Sequence, residues 1–324
     1  MPRPLELIDL PALYRHRNDA VALDTTRLLT RGNPLGAAGM MAYLNPGRHI
    51  YSAVGNGGTA LFGGVIHTNG GTFAKLLYLA PAADMAHPDL PALIEHLVAE
   101  AGTWGALHVL AEVDERSEAY RALRQAGFSV YAWQRIWDMS ALAQHPGGVA
   151  QHPAEGPARV RAASAPSDLK WRRSTDVDLA SMQSLHRQIV PALLHPIELL
   201  PQHAGGLICC ADGMRGYVDL ALGIYGIVLT PLIHPESTEV GEKLAALPRD
   251  LPDRRSRPVY LCVRSYQAWL EPVLEDLGAL PGNRQAVMVR HLAHLVKEEQ
   301  AVKAAQPAGV TVQPSRFSEM EKKK

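Results

Sequence analysis

The 324-residue chain has few cysteines, no excess of either charge and no long hydrophobic run. Its 3 cysteines are the adjacent Cys209 and Cys210 and the solitary Cys262. Three thiols cannot make a disulfide framework, and none stands at zinc-type spacing from other cysteines or histidines, so a disulfide-stapled secreted scaffold and a structural zinc module are excluded. The expected compartment is the cytoplasm, and no metal is expected. Lys and Arg total 32 and so do Asp and Glu, giving zero net charge. A dedicated nucleic-acid binder would carry a basic excess somewhere along its length. Arg172-Arg173 and Arg254-Arg255 are too short to provide one and read as solvated surface. The longest uncharged apolar stretch, residues 220–233, has 14 residues with two glycines and a proline, against about 20 needed to span a bilayer. The N-terminus reaches Asp9 before any apolar run of signal-peptide length develops. The expectation is a soluble protein with neither nucleic acid nor membrane as partner.

Glycine (27) and proline (24) are above average usage, so many turns are expected. With 47% hydrophobic and 20% charged residues the chain is globular, long enough for one large domain or two ordinary ones. Residues 144–157 crowd prolines and glycines around two histidines and read as a linker. It falls near the middle, which invites a comparison of the two halves. Leu79-Ala80-Pro81 recurs as Leu229-Thr230-Pro231, Val113 at a strand end recurs as Val263, and the helix-ending Gly127 recurs as Gly278, all at an offset of about 150 residues. Three co-linear matches suggest one fold laid down twice.

Hydrophobic spacing predicts the same series in both halves. In the first, two helical pieces over residues 5–44 break at Gly32-Asn33-Pro34. Strands follow at 50–54, 61–68 and 73–80, a helix at 89–104 with Asp89 as N-cap, a strand at 107–113, a helix at 117–126 stopped by Gly127, and a strand at 128–137. In the second, a long helix at 177–194 precedes strands at 206–211, 217–222 and 226–233, a helix at 238–247, a strand at 258–263, a helix at 266–277 and a strand at 285–292. After Val296 the chain turns polar and is expected to be disordered.

This order, with a helix running into Ala126-Gly127-Phe128, resembles the GNAT superfamily of acetyl-CoA-dependent N-acetyltransferases. Ala119, Leu123, Gly127 and Phe128 occupy the helix positions of that family and Leu79-Ala80-Pro81 its Pro-ended strand. The second half is similar through Leu274, Gly278 and Ala279, with Ala279 in place of the aromatic. The resemblance implies an α+β (α/β) protein of two tandem GNAT-like domains, each a mixed central sheet flanked by helices. The first is expected at 1–142 and the second at 158–297, with a linker at 143–157 and a tail at 298–324. It also implies an acyl-CoA-dependent N-acyltransferase, with acetyl-CoA as cofactor and a small-molecule or amine acceptor, and leaves room for a dimer. An unrelated α+β tandem remains the alternative.

In the family, backbone N–H groups at the start of the helix after the Pro-ended strand hold the pyrophosphate of the cofactor. Counting on from Pro81 places Met85, Pro88 and Leu90 on the motif positions, and none matches. Asp84 and Asp89 add negative charge there, and Pro88 and Pro91 offer no N–H. The corresponding stretch 236–241 keeps only Gly241, among Glu236, Glu239 and Glu242. The resemblance therefore assigns cofactor contacts only to Leu79, Ala80, Pro81 and Gly241. The tyrosine that protonates the departing thiolate is replaced by Leu123 and Leu274, neither of which does proton chemistry. Tyr120 and Tyr266 lie on the same helices and offer a substitute acid or ordinary packing. Glu112, at a buried strand end, is a candidate general base whose pKa burial would raise, or the partner of an arginine such as Arg116. His67 and His234 lie at or near strand ends as candidate bases or hydrogen-bonded histidines. Cys209-Cys210 read as inert thiols, and Trp133 and Trp137 as packing residues on one strand face. The competing function is a non-catalytic ligand-binding or interaction module that keeps the fold.

Overall fold

The computed structural model describes residues 2–36, 48–57, 59–68, 71–142, 170–209 and 215–292. The linker at 143–157, the tail at 298–324 and Cys210 lie outside these residues. Up to Arg31 the chain is less helical than its spacing suggests. The piece expected before the break at Gly32-Asn33-Pro34 is divided into the short helices α1 (Leu10–Arg15) and α2 (Thr25–Arg31), preceded by β1 (Arg3–Pro4) and separated by β2 (Val21–Ala22), while the piece expected after the break lies, from residue 37 on, outside the described residues. The reason is local. Asn18 and Asp19 favour a turn, and Asp24 starts a new helix by accepting from the Arg27 N–H at 3.1 Å.

The rest follows the predicted order, with the strands expected at 50–54, 61–68 and 285–292 longer than predicted and a short strand at 171–173 added. β3 (Arg48–Gly57), β4 (Thr59–Thr68) and β5 (Phe73–Ala80) lead to α3 (Leu90–Thr103), whose Leu90, Leu93, Ile94, Leu97 and Val98 are all buried. Then come β6 (His108–Asp114), α4 (Glu118–Gln125) and β7 (Ser129–Asp138). The second half supplies β8 (Trp171–Arg173), α5 (Leu179–Ile189), β9 (Leu207–Cys209), β10 (Gly216–Leu222) and β11 (Ile227–Ile233). It closes with α6 (Val240–Asp250), β12 (Val259–Arg264), α7 (Leu270–Asp276) and β13 (Leu280–His291). The helix expected at 177–194 is cut short because Pro191 has no amide hydrogen and turns Val190 extended, at φ −78° and ψ 127°.

These strands make one sheet in the order β1-β3-β4-β5-β6-β13-β7-β12-β11-β10-β9-β8, with β2 against β5. β6 does not pair with β7, the next strand in sequence. Instead β13 lies between them and β7 lies between β13 and β12, so the last strand of each half is built into the other. The order is symmetrical about the facing residues Gln134 and Gln285, which are themselves 151 residues apart like Gly127 and Gly278. Both glycines take φ +81° and end their helices alike, with Phe128 N–H bonding to Leu123 O and Ala279 N–H to Leu274 O at 3.0 Å. A further repeat escaped the sequence comparison. Arg3 grips Asp9 with two bonds of 2.7 and 2.8 Å, and Arg172 grips Asp178 with two of 2.9 Å, each ahead of the first helix of its half. The Leu79/Leu229 match, by contrast, is not one of position. Pro81 follows the end of β5, whereas Pro231 lies inside β11.

Alternation along the strands buries both faces. One carries α3 and α4 over Leu61, Val65, Leu76 and Val109, and α6 and α7 over Leu229, Leu261 and Val263. The other carries α1 over Phe62, Ile66 and Tyr78, and α5 over Ile208, Tyr217 and Leu232. Trp133 packs against the first of these cores, while Trp137 is fully buried in the second, joining the halves as one strand face. Such burial stabilises by about 1.5–3 kcal/mol per large apolar side chain.

Candidate functional site

Parallel strands that diverge leave backbone groups facing a gap, and ligands in α/β sheets settle at the carboxyl ends of such strands. The sheet has two such gaps. β5 and β6 pair only from Phe73 to Lys75 against His108 to Leu110, and β11 and β12 only from Ile227 to Leu229 against Val259 to Leu261.

The first gap is filled by the chain itself. β2 pairs with Leu79 and Tyr78, the Leu23 N–H donates to Leu77 O at 3.0 Å, and the Glu112 N–H donates to Leu23 O at 2.8 Å. The Thr25 N–H then donates to the Glu112 carboxylate at 2.9 Å. Residues 21–25 thus form a strap bonded to both walls. Of the residues assigned by resemblance, Leu79 and Ala80 are fully buried at the end of β5, and the backbone of Leu79 is taken up by Val21.

In the second gap no described residue plays that part. Gln267 crosses it, its Nε2 donating to Ile233 O at 2.7 Å. Gln267 is 1% exposed, and its Oε1 is buried without a hydrogen-bond partner. A buried acceptor left unpaired costs about 1–3 kcal/mol, which a ligand N–H would recover. Gly241 lies in the first turn of α6 beyond this gap, where a Cβ would meet only Val273 Cγ1, at 3.6 Å.

Between the two gaps, on the face of α1 and α5, the sheet carries polar residues. Lys75, Glu112, Gln285, Gln134 and Arg264 alternate with core residues and so share this face. Gln134 Oε1 accepts from Arg264 Nη1 at 2.6 Å and from the Cys262 thiol at 3.3 Å, and its Nε2 donates to Gln285 Oε1 at 2.8 Å. The Thr25 hydroxyl donates to that same Gln285 oxygen at 3.0 Å. Glu198 stands 3.5 Å from Arg264 Nε and accepts from the Tyr131 hydroxyl at 3.3 Å. The row runs from the strap in one gap to the edge of the other, and hydrogen bonds make its burial tolerable.

The sequence candidates fall into different places. Glu112 is 7% exposed, and Arg116 is not its partner. Burial alone would raise its pKa as expected, yet Lys75, Arg264, the Thr25 N–H and Gln134 together hold it below the ordinary carboxylate range. Tyr120 packs half-buried on the α4 face against Trp133, away from the polar row. Tyr266 lies on the other face with Leu194 and Leu232, its hydroxyl pKa raised by burial. Leu123 and Leu274 are fully buried core residues. His67 is buried with Nε2 on Gly71 O at 2.8 Å. Burial pushes the Cys262 thiol up to about 12, and Cys209 is buried, so neither offers a thiolate. At the helix starts, Met85 is buried in the α3 core, and the Asp89 side chain makes no capping bond. Among the described residues no cluster of three or more His, Cys, Asp or Glu could hold a metal, and no helix is long and apolar enough to cross a membrane.

Of the candidate bases, His234 lines a cavity. It follows Ile233 at the end of β11, and the cavity, of about 480 Å³, is lined by Ser181, Ser184, Leu185 and Gln188 of α5 with Arg215, His234 and Glu236.

No protein-family model matches the chain, and no curated protein matches it. Solved structures do. A GCN5-related N-acetyltransferase from Sphaerobacter thermophilus superposes with a TM-score of 0.51 at 13% identity, over 90% of this chain and 95% of that one. A tandem GNAT protein from the clavulanic acid biosynthesis pathway gives 0.46 at 14% identity, over 90% and 98%. A putative acetyltransferase from Pyrococcus horikoshii gives 0.48 at 10% identity, over 90% and 89%.

Proposed function

We propose that this chain, which has the GNAT fold, is an acyl-CoA-dependent N-acyltransferase that takes its cofactor in the gap between β11 and β12. The observation that carries this reading is the difference between the two gaps. The first is closed by residues 21–25 through backbone bonds to both walls, while the second keeps an unpaired buried oxygen on Gln267. An acyl-CoA arm carries amide groups that can meet such an acceptor. When bound, the cofactor supplies the activated acyl group. This chain's part is to orient it along Pro231 to Ile233, with Gly241 leaving room at the start of α6, and to present an amine from the cavity beside His234.

Leu123 and Leu274 supply no proton donor, which favours a second reading, a non-catalytic module that binds the ligand and does no chemistry. Titration with acetyl-CoA separates the outcomes. A ligand bound only by the folded state at a hundredfold excess over Kd adds about 2.7 kcal/mol, a rise of roughly 5 °C in Tm for a chain of this size. Gly241→Glu, which places a carboxylate and its bulk at the start of α6, is expected to abolish the rise. No rise in the unaltered protein sinks the cofactor reading. A rise that survives Gly241→Glu moves the cofactor elsewhere. A rise without release of CoA thiol in the presence of amines favours the binding module.

A further inference from the structure

The cavity beside β11 combines both charges with neutral hydrogen-bonding groups. Ser181, Ser184 and Gln188 are spaced at three and four residues, so α5 turns one polar stripe onto it while Leu185 anchors the helix to the core. Opposite stands Arg215, whose Nη1 donates to the main-chain oxygen of Glu236 at 2.9 Å. Its guanidinium is 3.8 Å from the Glu236 carboxylate, too far for the paired short bonds that a neutralised arginine makes. The Glu236 N–H donates to His234 Nδ1 at 3.3 Å. That leaves the ring proton of neutral His234 on Nε2, so the ring donates there. A cation, a ring donor and hydroxyl groups thus gather next to one carboxylate.

We propose that this cavity binds a free amino acid, its carboxylate on Arg215 with the serine hydroxyls and His234, its ammonium on Glu236. An anion alone would meet the charge of Glu236, and a simple amine would meet that of Arg215. A ligand bearing both charges on neighbouring atoms satisfies the two together. The cavity size matches a small molecule, within the roughly 300–1,000 Å³ usual for ligand sites. Because Arg215 and Glu236 are both well exposed, binding is expected in the millimolar range. Naming the amino acid as the acyl acceptor rests on the transfer reading above, whereas its binding does not.

The test is a thermal-shift and calorimetric survey of the full chain with the common L-amino acids at millimolar concentration and no acyl-CoA present. Decarboxylated amines and N-acetylated amino acids serve as the single-charge controls. At least one amino acid is expected to bind, with about tenfold weaker binding for Arg215→Met and for Glu236→Gln, and for both classes of control. Circular dichroism and the unliganded Tm check that each variant folds, which the exposure of both side chains favours. Failure of every amino acid to bind overturns the proposal, as does equal binding of the controls or of Arg215→Met. The acetyl-CoA titration is read separately. Amino-acid binding without an acetyl-CoA response leaves this site standing and removes the transfer reading, and the reverse removes only this site.

Discussion

Glu112 shows how one residue can be right in place and different in character from its sequence expectation. Its strand-end position and burial were legible, because it interrupts an apolar run. Its partners were not, because Lys75, Thr25 and Arg264 come from three other elements. As its folded pKa lies below the ordinary 4.5, its contribution to stability is fully present above that pH and is lost as pH falls through the folded value. Glu112→Gln is therefore expected to flatten the loss of stability below pH 4.5 in urea titrations across pH. Glu112→Leu, which leaves the Thr25 N–H without its acceptor and removes the negative charge facing Lys75 and Arg264, is expected to cost roughly 3 kcal/mol. A pH profile for Glu112→Gln as steep as that of the unaltered protein would contradict this account. The glutamines were missed, although Gln134 and Gln285 carry the same 151-residue offset as the helix-ending glycines. Only pairing across the sheet gives that offset meaning.

At the scale of elements, the helix stops were the most legible features because they depend on local backbone conformation. Gly127 and Gly278 both hold φ +81°, where any other residue is strained. No atom lies within 4 Å of a Cβ added at Gly278, so Gly278→Ala isolates the backbone effect. The expected cost is about 1–2 kcal/mol, measured by chemical denaturation, with an unchanged acetyl-CoA response. A neutral substitution would show that the left-handed stop is not required. The less legible elements were the short ones ahead of the sheet. The strap at 21–25 is too brief for periodicity to register, and its strand character comes from the gap it fills. Beside the same gap, the end of the strand that carries Leu79 and Ala80 is already paired on both sides.

At the scale of the whole molecule, the exchange of β7 and β13 makes the two halves interdependent. In isolation, residues 1–142 would leave β6 and β7 without the strand that separates them and would expose unpaired edges. Expressed alone, this segment is expected to be unfolded or self-associated. Mixing it with residues 170–292 is expected to restore one cooperative unfolding transition, read by circular dichroism and size-exclusion chromatography. A monomeric, cooperatively folding 1–142 would show the exchange to be dispensable. Packing across the halves supports the expectation. The Tyr225 N–H donates to Thr30 O at 3.1 Å, and a Cβ at Gly223 would collide with the Thr30 backbone, so α2 of the first half rests on the β10–β11 turn of the second.

The sequence by itself determined the order of strands and helices, the helix-ending glycines and the doubled pattern, because each depends on neighbours within a few residues or on spacing along one face. Only the tertiary structure decided which half keeps an open gap, how the last strands are exchanged and which charges meet at the cavity. Those depend on pairing between segments far apart in the chain, where closing the sheet selects partners that local preference leaves undetermined.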